Sequence, residues 1–425
     1  MRSIRAQHNQ VAVSANSKET AINTMHALDT DLLVGTGDII NLERKREHNG
    51  NELTGLEEPD TVYDLGATAA CSLTFDKAQP QHFAFLLGFG LGTVATAAAG
   101  TGYQHTLTPI NGDLDIDRSL PTFTAGQRFG KTVLKRRFAS MAVDTVTASF
   151  AKDSWVKITG GIKGTGFVEK NIVEETVSAL GTATSLTLAA NGVQGSTAGE
   201  RLDNVQHITV ELTAGVFTEV VYSAVSGATP AVITCTSPGG AATPFNYKIT
   251  YIATEAAWGT FPSRVAETPL RVSELTVVMG GKWTGSAFSG GREMTSEITS
   301  IEYSLSNNLQ VEMVPGGGGS YASRIWRDGR AQTVKMNREF RDYILQQHLE
   351  DNDTFGLYVL AEGAVYATPH KYQVEIILPK CALLNAPLSV DGKRLGEAGD
   401  LVVLEDATYG SVIVKVKNKV ATYAA

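Results

Sequence analysis

"SLTFDKAQPQHFAFLLGFGLG", residues 72–92, changes character halfway along. Ser72 to Phe75 alternate polar and apolar, the period of a half-buried strand. From His82 to Leu91 nearly every residue is apolar or glycine. That run is shorter than the ~20 residues a bilayer crossing takes. Pro80 stands near its start, where a helix tolerates the missing N–H. The stretch reads as a strand followed by a short helix that is apolar almost all round, with Gly88, Gly90 and Gly92 fraying its end. A helix of that kind is buried on more than one side. Phe83, Phe85, Leu86, Leu87 and Phe89 are therefore expected to cover the outer face of their own lobe and to meet a neighbouring subunit or lobe.

The composition around this stretch points the same way. The 425 residues are 19% charged, below the ~25% of ordinary soluble domains, and include 42 glycines, so turn-rich, mainly β structure is expected. A net charge of −8 with no basic tail argues against a protein that grips nucleic acid through its phosphates. The cysteines, Cys71, Cys235 and Cys381, are far apart in sequence, which fits core thiols in a reducing cytosol better than a disulfide framework or a zinc site. The first residues lack an apolar core, so no signal peptide is expected, and no stretch is long enough to span a membrane.

Texture divides the chain into four parts. Residues 1–36 read as an irregular or partly helical arm. Residues 37–166 read as a first lobe; its segment 38–60 has mixed charge and no apolar period, the mark of a long exposed loop or hairpin arm. Within that lobe "VDTVTASFAKDSWVKITGGIKG", 143–164, alternates and turns near Ala151–Ser154, as a hairpin does. Residues 167–256, rich in Thr, Ala, Gly, Val and Ser, offer about six short strands and read as an inserted immunoglobulin-like sandwich. Residues 257–425 read as a second lobe, interrupted by a flexible "PGGGGS" at 315–320. The two lobes echo each other: strand then helix at 71–90 and at 334–351, and strand then polar turn at 143–153 and 298–308.

Chemical motifs are missing where they would matter. "GFGLGT" at 88–93 ends an apolar helix instead of opening one after a strand, and "GGIKGTG" at 160–166 lacks the Lys-Ser/Thr ending of a phosphate loop. There is no H-E-x-x-H and no G-x-S-x-G. "GLEEPD" and "HLEDND" lack the alternating spacing of a calcium loop. "ERKREH" and "LKRRF" are short basic runs without interleaved aromatics, and read as surface or interface ion pairs. No catalytic residue, metal ligand or cofactor is expected.

The order of the parts resembles the major tail tube proteins of siphophages. "KETAINT", "DLLVGTGD", "YDLGATAACSLTF", "LLGFGLG", "YQHTLTP", "LPTFT" and "MAVDTVTASFAKDSWVKITGGIKG" resemble the first half of a two-lobed tube protein, and "ITSIEYSLSNNLQ", "REFRD" and "YQVEIILPK" the second. The resemblance covers most of 17–166 and 257–420 but not the insertion. It implies two antiparallel β-sandwich lobes, each with one short helix, that contribute strands to an inner barrel, with rings stacked into a tube through which DNA passes without specific binding. It implies self-association into trimeric, pseudo-hexameric rings or into hexamers, other tail components (tape measure, terminator, distal tail protein) as partners, no membrane partner, and residence in the virion tail. Ring stacking would fall to residues 1–36, to 38–60 with Glu43, Arg44, Lys45, Arg46, Glu57 and Glu58, and to about 400–425.

On this reading one face of each alternating strand lines a negatively charged lumen. The candidates are Ala70, Ser72, Thr74 and Asp76, then Ser300, Glu302 and Ser304, then Thr333, Lys335, Asn337 and Glu339. Tyr343, Ile344 and Leu345 are the helix-interface counterparts in the second lobe. The insertion is expected to face outward. Competing classes are another tail component of the same fold (terminator, baseplate hub or distal tail protein), a capsid or decoration protein, and a β-rich glycan-binding or hydrolysing protein.

Overall fold

A computed structural model describes residues 6–53, 55–112, 114, 116, 118–130, 134–254, 259–265, 267–314, 319–391 and 394–424. The glycine-rich stretch 315–318 lies outside the described residues. The fold is mainly β, with antiparallel sheets and few helices. The chain divides into two compact units. One comprises the chain up to Ala12, Gly126–Arg137 and Val168–Pro262; the other comprises Val13–Ala125, Phe138–Phe167 and Ser263–Ala425.

In the smaller unit a four-stranded sheet, ordered Ile172–Leu180, Pro244–Ile252, Val205–Thr213, Val216–Glu219, faces a three-stranded one, Ser185–Thr187, Val232–Cys235, Tyr222–Val225. Leu186, Ile208, Val210, Ile233, Tyr247, Ile249 and Tyr251 fill the space between them. Each is the inward member of an alternating pair, as a sandwich requires. A one-and-a-half-turn helix, Ala198–Asp203, starts on a reciprocal cap between Thr197 and Glu200.

The larger unit carries β1 (Asn41–His48), β2 (Val62–Phe75), α1 (Pro80–Leu91), β3 (Gly92–Ala99), β4 (Gly102–Pro109), β5 (Leu134–Ala151) and β6 (Lys157–Gly164) from its first half. From its second half come β7 (Leu275–Trp283), β8 (Ile298–Ser306), β9 (Ala331–Glu339), α2 (Ile344–Asp351), β10 (Thr354–Ala367), β11 (His370–Asn385), β12 (Leu388–Asp391), β13 (Arg394–Val403) and β14 (Ile413–Asn418). The first sheet runs β1-β2-β6-β5-β8-β9-β13-β12, four strands from each half, all antiparallel. The second runs β7-β10-β11-β14-β4-β3. Strand β11 belongs to both: Gln373–Ile377 pair with β14, and Cys381–Asn385 pair with β13. The two halves are thus one body, and the expected division into lobes 37–166 and 257–425 is a division of sequence only.

Helix α1 lies between the sheets, packed on β3, β4, β11, β14 and β6. All twelve of its residues are buried. Phe85, Phe89 and Phe123 meet with ring centroids 5.0–5.4 Å apart, and Phe83 faces Phe150 of β5. Of the two expected contacts, with a neighbouring subunit or with the other lobe, the helix makes the second, on β11 and β14, and the subunit contact is overturned: Phe83, Phe85, Leu86, Leu87 and Phe89 are each 0% exposed within a single chain. The apolar surface all round the helix is covered by strands from both halves. Gly88 and Gly90 do not fray the helix. They sit inside it, and a Cβ on Gly90 would lie 3.3 Å from Leu305 and 3.4 Å from Val143. Only Gly92, left-handed at φ 98°, ends it.

The terminal segments also differ from expectation. Gln10–Val13 and Thr30–Leu32 are strands, and Glu19 is buried, taking hydrogen bonds from the Ser140 amide and hydroxyl and from Thr124. At the other end Tyr423 is buried, Asn418 donates to its hydroxyl, and the Ala424 amide donates to the Ala15 carbonyl. Residues 13–36 and 400–424 are therefore packed parts of the chain, not loose stacking arms. The segment 38–60 alone keeps that character, as the β1–β2 hairpin.

Counting four strands along the first sheet carries β2 onto β9, and each leads into a helix. It carries β1 onto β8. The strand-then-helix echo is thus a positional repeat. The other echo is not: β5 and β8 are adjacent antiparallel partners, Thr145 opposite Ser306 and Ala151 opposite Ser300.

Candidate functional site

The polar face of the first sheet gathers side chains from five separate stretches of sequence. One row crosses five strands as Thr74, Thr159, Thr147, Ser304 and Thr333. The next row is charged: Lys157, Ser149, Glu302, Lys335 and Asp400, with Asp76 3.2 Å from Lys157 at its end. Beside it Asn337 donates to the Ser300 hydroxyl at 2.9 Å. On the other flank Ser72, Gly161, Thr145 and Ser306 form a further row. The opposite face of the same strands holds Leu73, Phe75, Ile158, Val146, Phe150, Ile301, Tyr303, Leu305, Val334 and Met336, all buried. The period of two sorts every residue to one side or the other.

All the candidates Ser72, Thr74, Asp76, Ser300, Glu302, Ser304, Thr333, Lys335 and Asn337 are exposed or half-buried on this one face. Ala70 flanks it, opposite Asn41 and Lys163. Glu339 is at the rim, held by Arg394 at 2.8 Å. The residues missed were Thr145, Thr147, Ser149, Lys157, Thr159 and Asp400. Their signal was present in the alternation of 143–151 and 157–163. The face is hydroxyl-rich, and its charged row sets the carboxylates of Asp76, Glu302 and Asp400 against the ammonium groups of Lys157 and Lys335. It is weakly negative, and a negatively charged lining was expected.

Among the described residues the border at β1 is open, and the other border is open along β12, while Asp400–Val403 of β13 are paired with β11. Strand β1 pairs only with β2, and β12 only with β13. The outer border carries exposed apolar side chains, Leu384 at 64%, Leu388 at 50% and Val390 at 74%. Glu43, Arg44, Lys45 and Arg46 are exposed on β1, and Glu57 and Glu58 at the hairpin tip. Of the second-half helix candidates, Tyr343 is exposed, Ile344 half-buried and Leu345 fully buried. Leu345 is thereby removed from any contact with a neighbour.

The two ends of the sheet differ. From one end the β1–β2 hairpin projects, its base held by the Ala67 amide on the Ser320 carbonyl. Asn49 closes the neck of its tip, with its side chain on Asp60 and its carbonyl taking the Glu52 amide. At the opposite end, where β5 finishes and β8 starts, lies a cleft of about 530 Å³ lined by Lys152, Trp155, Arg271, Val272, Glu297 and Glu339 among others. The Arg271 guanidinium stacks on Trp155 at 5.3 Å. Glu297 is neutralised by Arg292 and by Arg338 at 3.0 Å. Arg338 is itself fully buried and also binds Glu397 and Asp342. Burial pushes the Asp342 carboxyl up, yet the Ile344 amide, Arg292 and Arg338 together hold it below the usual carboxylate range.

Among the described residues no group of three or more His, Cys, Asp and Glu side chains is placed to hold a metal, and no helix is long and apolar enough to cross a membrane. No known protein-family model matches the chain, and no curated protein is significantly similar to it. The class the fold defines is therefore a mainly β protein built around one open-edged, two-faced antiparallel sheet.

Proposed function

We propose that the chain is a structural subunit that polymerises into a tube, in the manner of a siphophage major tail tube protein, with DNA passing along the lumen. One observation carries this reading. The eight-stranded sheet has one polar face, one face sealed by α1 and the second sheet, and two border strands, β1 and β12, that each pair on one side only, while β11 covers Asp400–Val403 of β13. An open border is a template for pairing with another chain, and closure into a barrel removes it. Because the strands alternate in direction and β1 and β12 occupy the first and eighth places, joining β12 of one copy to β1 of the next continues the antiparallel alternation.

Three copies give a barrel of about 24 strands, roughly 40–50 Å between opposite backbones, from a ~4.8 Å strand spacing and the usual tilt. That channel admits a nucleic acid duplex. Hydroxyl groups and near-balanced charges on the lining give no fixed grip on phosphate, and the net charge of −8 disfavours adhesion. The four-strand repeat within each chain makes a trimer pseudo-hexameric. The terminator, tape-measure and distal tail partners and the virion-tail location belong to the same reading.

Negative-stain electron microscopy of the purified chain tests it. Tubes or rings with a central channel are expected. A monodisperse monomer at high protein concentration refutes the reading, a closed shell favours a capsid role, and hydrolysis of a glycan by a monomer favours an enzyme.

A further inference from the structure

We propose that Arg327 and Arg330 hold a small oxyanion of the phosphate class, in a site where the segments before β9, after β4 and between β13 and β14 meet. The inference goes beyond the reading of the chain as a tube subunit and does not depend on it.

Hydrogen bonds among these segments build the place. Arg330, just ahead of β9, donates through Nη2 to the Ile110 carbonyl at 3.1 Å, just past the end of β4. Asn111 donates to Glu405 at 3.3 Å, past the end of β13. Gln332 donates to the Ser411 hydroxyl, ahead of β14. Arg327 ends the strand Arg324–Arg327, which pairs with Leu309–Glu312. The turn at Asp328 and Gly329 leaves the Arg327 and Arg330 guanidinium groups close enough to repel each other. Arg118, in the segment after β4, adds a third positive charge beside Arg327.

These cations are not neutralised by the carboxylates around them. The Arg327 guanidinium makes no hydrogen bond or ion pair among the described residues, and its Nη1 is buried. The Nε of Arg330 is likewise buried without an acceptor. Glu405 is exposed, is engaged by Asn111, and forms no ion pair with Arg330. Asp328 is exposed and pairs with neither arginine. Asp406 is turned to the Thr408 and Tyr409 amides. Burial, and then the charge of Arg327, push the Arg330 guanidinium down to about 10. Burial, and then Arg118, push Arg327 down as well. A buried N–H without an acceptor is costly, and two of them on neighbouring cations mark a place for oxygen atoms that carry negative charge. An anion seated there accepts both N–H groups and replaces repulsion by attraction.

The donors select the class of ion. A guanidinium offers a planar fork of N–H groups that fits phosphate and carboxylate oxygens. Here the forks come from two side chains on either side of a turn. A tetrahedral ion, with oxygens on every side, takes donors arriving from different directions; a carboxylate has its oxygens in one plane. The ion is small, because Arg330 lies beside Tyr303, a buried residue of the sealed face of the first sheet. A duplex running along the polar face does not reach that side.

Titration of the full chain with inorganic phosphate, at constant ionic strength in chloride, tests the site by calorimetry and phosphorus-31 NMR. Saturable binding at one site per chain is expected, with sulfate competing. Arg327→Gln should weaken it by roughly tenfold or more. The same change removes a repelling charge and breaks no hydrogen bond, so in phosphate-free buffer the variant should melt at or above the wild-type temperature. Arg324→Gln, an equal loss of charge at an exposed position on the same strand, should bind phosphate as the wild type does. Binding that never saturates, or that survives Arg327→Gln unchanged, overturns the site. Acetate bound as tightly as phosphate overturns the phosphate class, and release of bound phosphate by a DNA duplex overturns the small-ion assignment. A chain that binds phosphate in this way but stays monomeric keeps the site and refutes the tube reading.

Discussion

Glu267 and Arg338 show how single buried charges are placed to hold the larger unit together. Glu267 accepts the Gln81 amide at 2.9 Å, in the first turn of α1, and also faces the Lys419 backbone. A carboxylate is favourable at a helix N-terminus, yet burial pushes its pKa up to about 7. The folded chain therefore holds this proton more tightly than the unfolded chain. The stability it contributes is complete below the ordinary glutamate pKa of ~4.5 and is lost as pH rises through about 7. Glu267→Gln is expected to be near neutral at pH 4 and to stabilise the protein at pH 8.5 by ~1–3 kcal/mol, as measured by denaturant unfolding at the two pH values. Arg338, with Glu297, Asp342 and Glu397 around it, is the opposite case. Removing the cation strands buried carboxylates, so Arg338→Met should cost about 3–5 kcal/mol, read as a lowered denaturation midpoint. Neither role was legible beforehand: the alternation of 331–339 turns Arg338 inward, but nothing local to "KMNREFRD" shows that Glu297 and Glu397 arrive from distant parts of the chain to receive it.

Among the elements, α1 was the clearest in sequence and the most misleading about its surroundings. Its start at Pro80 and its burial on several sides follow from composition, whereas its end does not, since Gly88 and Gly90 stay helical up to Gly92. What covers it does not, because strands from residues 92–109, 157–164 and 370–418 all reach it. Aspartate at Phe85 or Leu87 is consequently a core lesion that unfolds the unit, and cannot report on subunit contacts. A finer probe is Gly160 on β6, where an added Cβ would come within 2.5 Å of Leu86 Cδ2 on the helix. Leu86 has no exposed surface. Gly160→Val is expected to destabilise by about 1–3 kcal/mol, with a matching loss in thermal midpoint, while a substitution at neighbouring Gly161, on the polar face beside Thr145, should spare the helix. Strands with strict alternation, such as 143–151, 298–306 and 331–339, were readable in place and in face. The N-terminal strands Gln10–Val13 and Thr30–Leu32 were not, being too short to show a period.

For the whole molecule, the smaller unit can be considered by itself. Its first and last strands begin and end opposite each other, Ile172 with Ile252, so the chain enters and leaves within ~5 Å. Residues 170–253 expressed alone should fold cooperatively around the Leu186–Tyr251 core. The remainder, closed by a short linker, should still build tubes under the microscope; loss of assembly contradicts a peripheral role for the insertion. At the same scale the open borders of the first sheet make an isolated larger unit aggregation-prone unless its edges join in order.

By itself the sequence determined what is local: which stretches alternate, where the helix of residues 80–91 starts, that it is wrapped on all sides, and that residues 167–256 have a texture of their own. Local sterics and side-chain polarity set those features, and they repeat every two or 3.6 residues whatever lies nearby. The tertiary structure alone decided which strands became neighbours. It put Thr74, Thr147, Thr159, Ser304 and Thr333 in one row, fused two expected lobes into one body, and set the β1–β2 hairpin and a cleft lined by charges of both signs at opposite ends of one sheet. Pairing between strands more than a hundred residues apart depends on the summed burial of the whole unit, and no short window of sequence contains that sum.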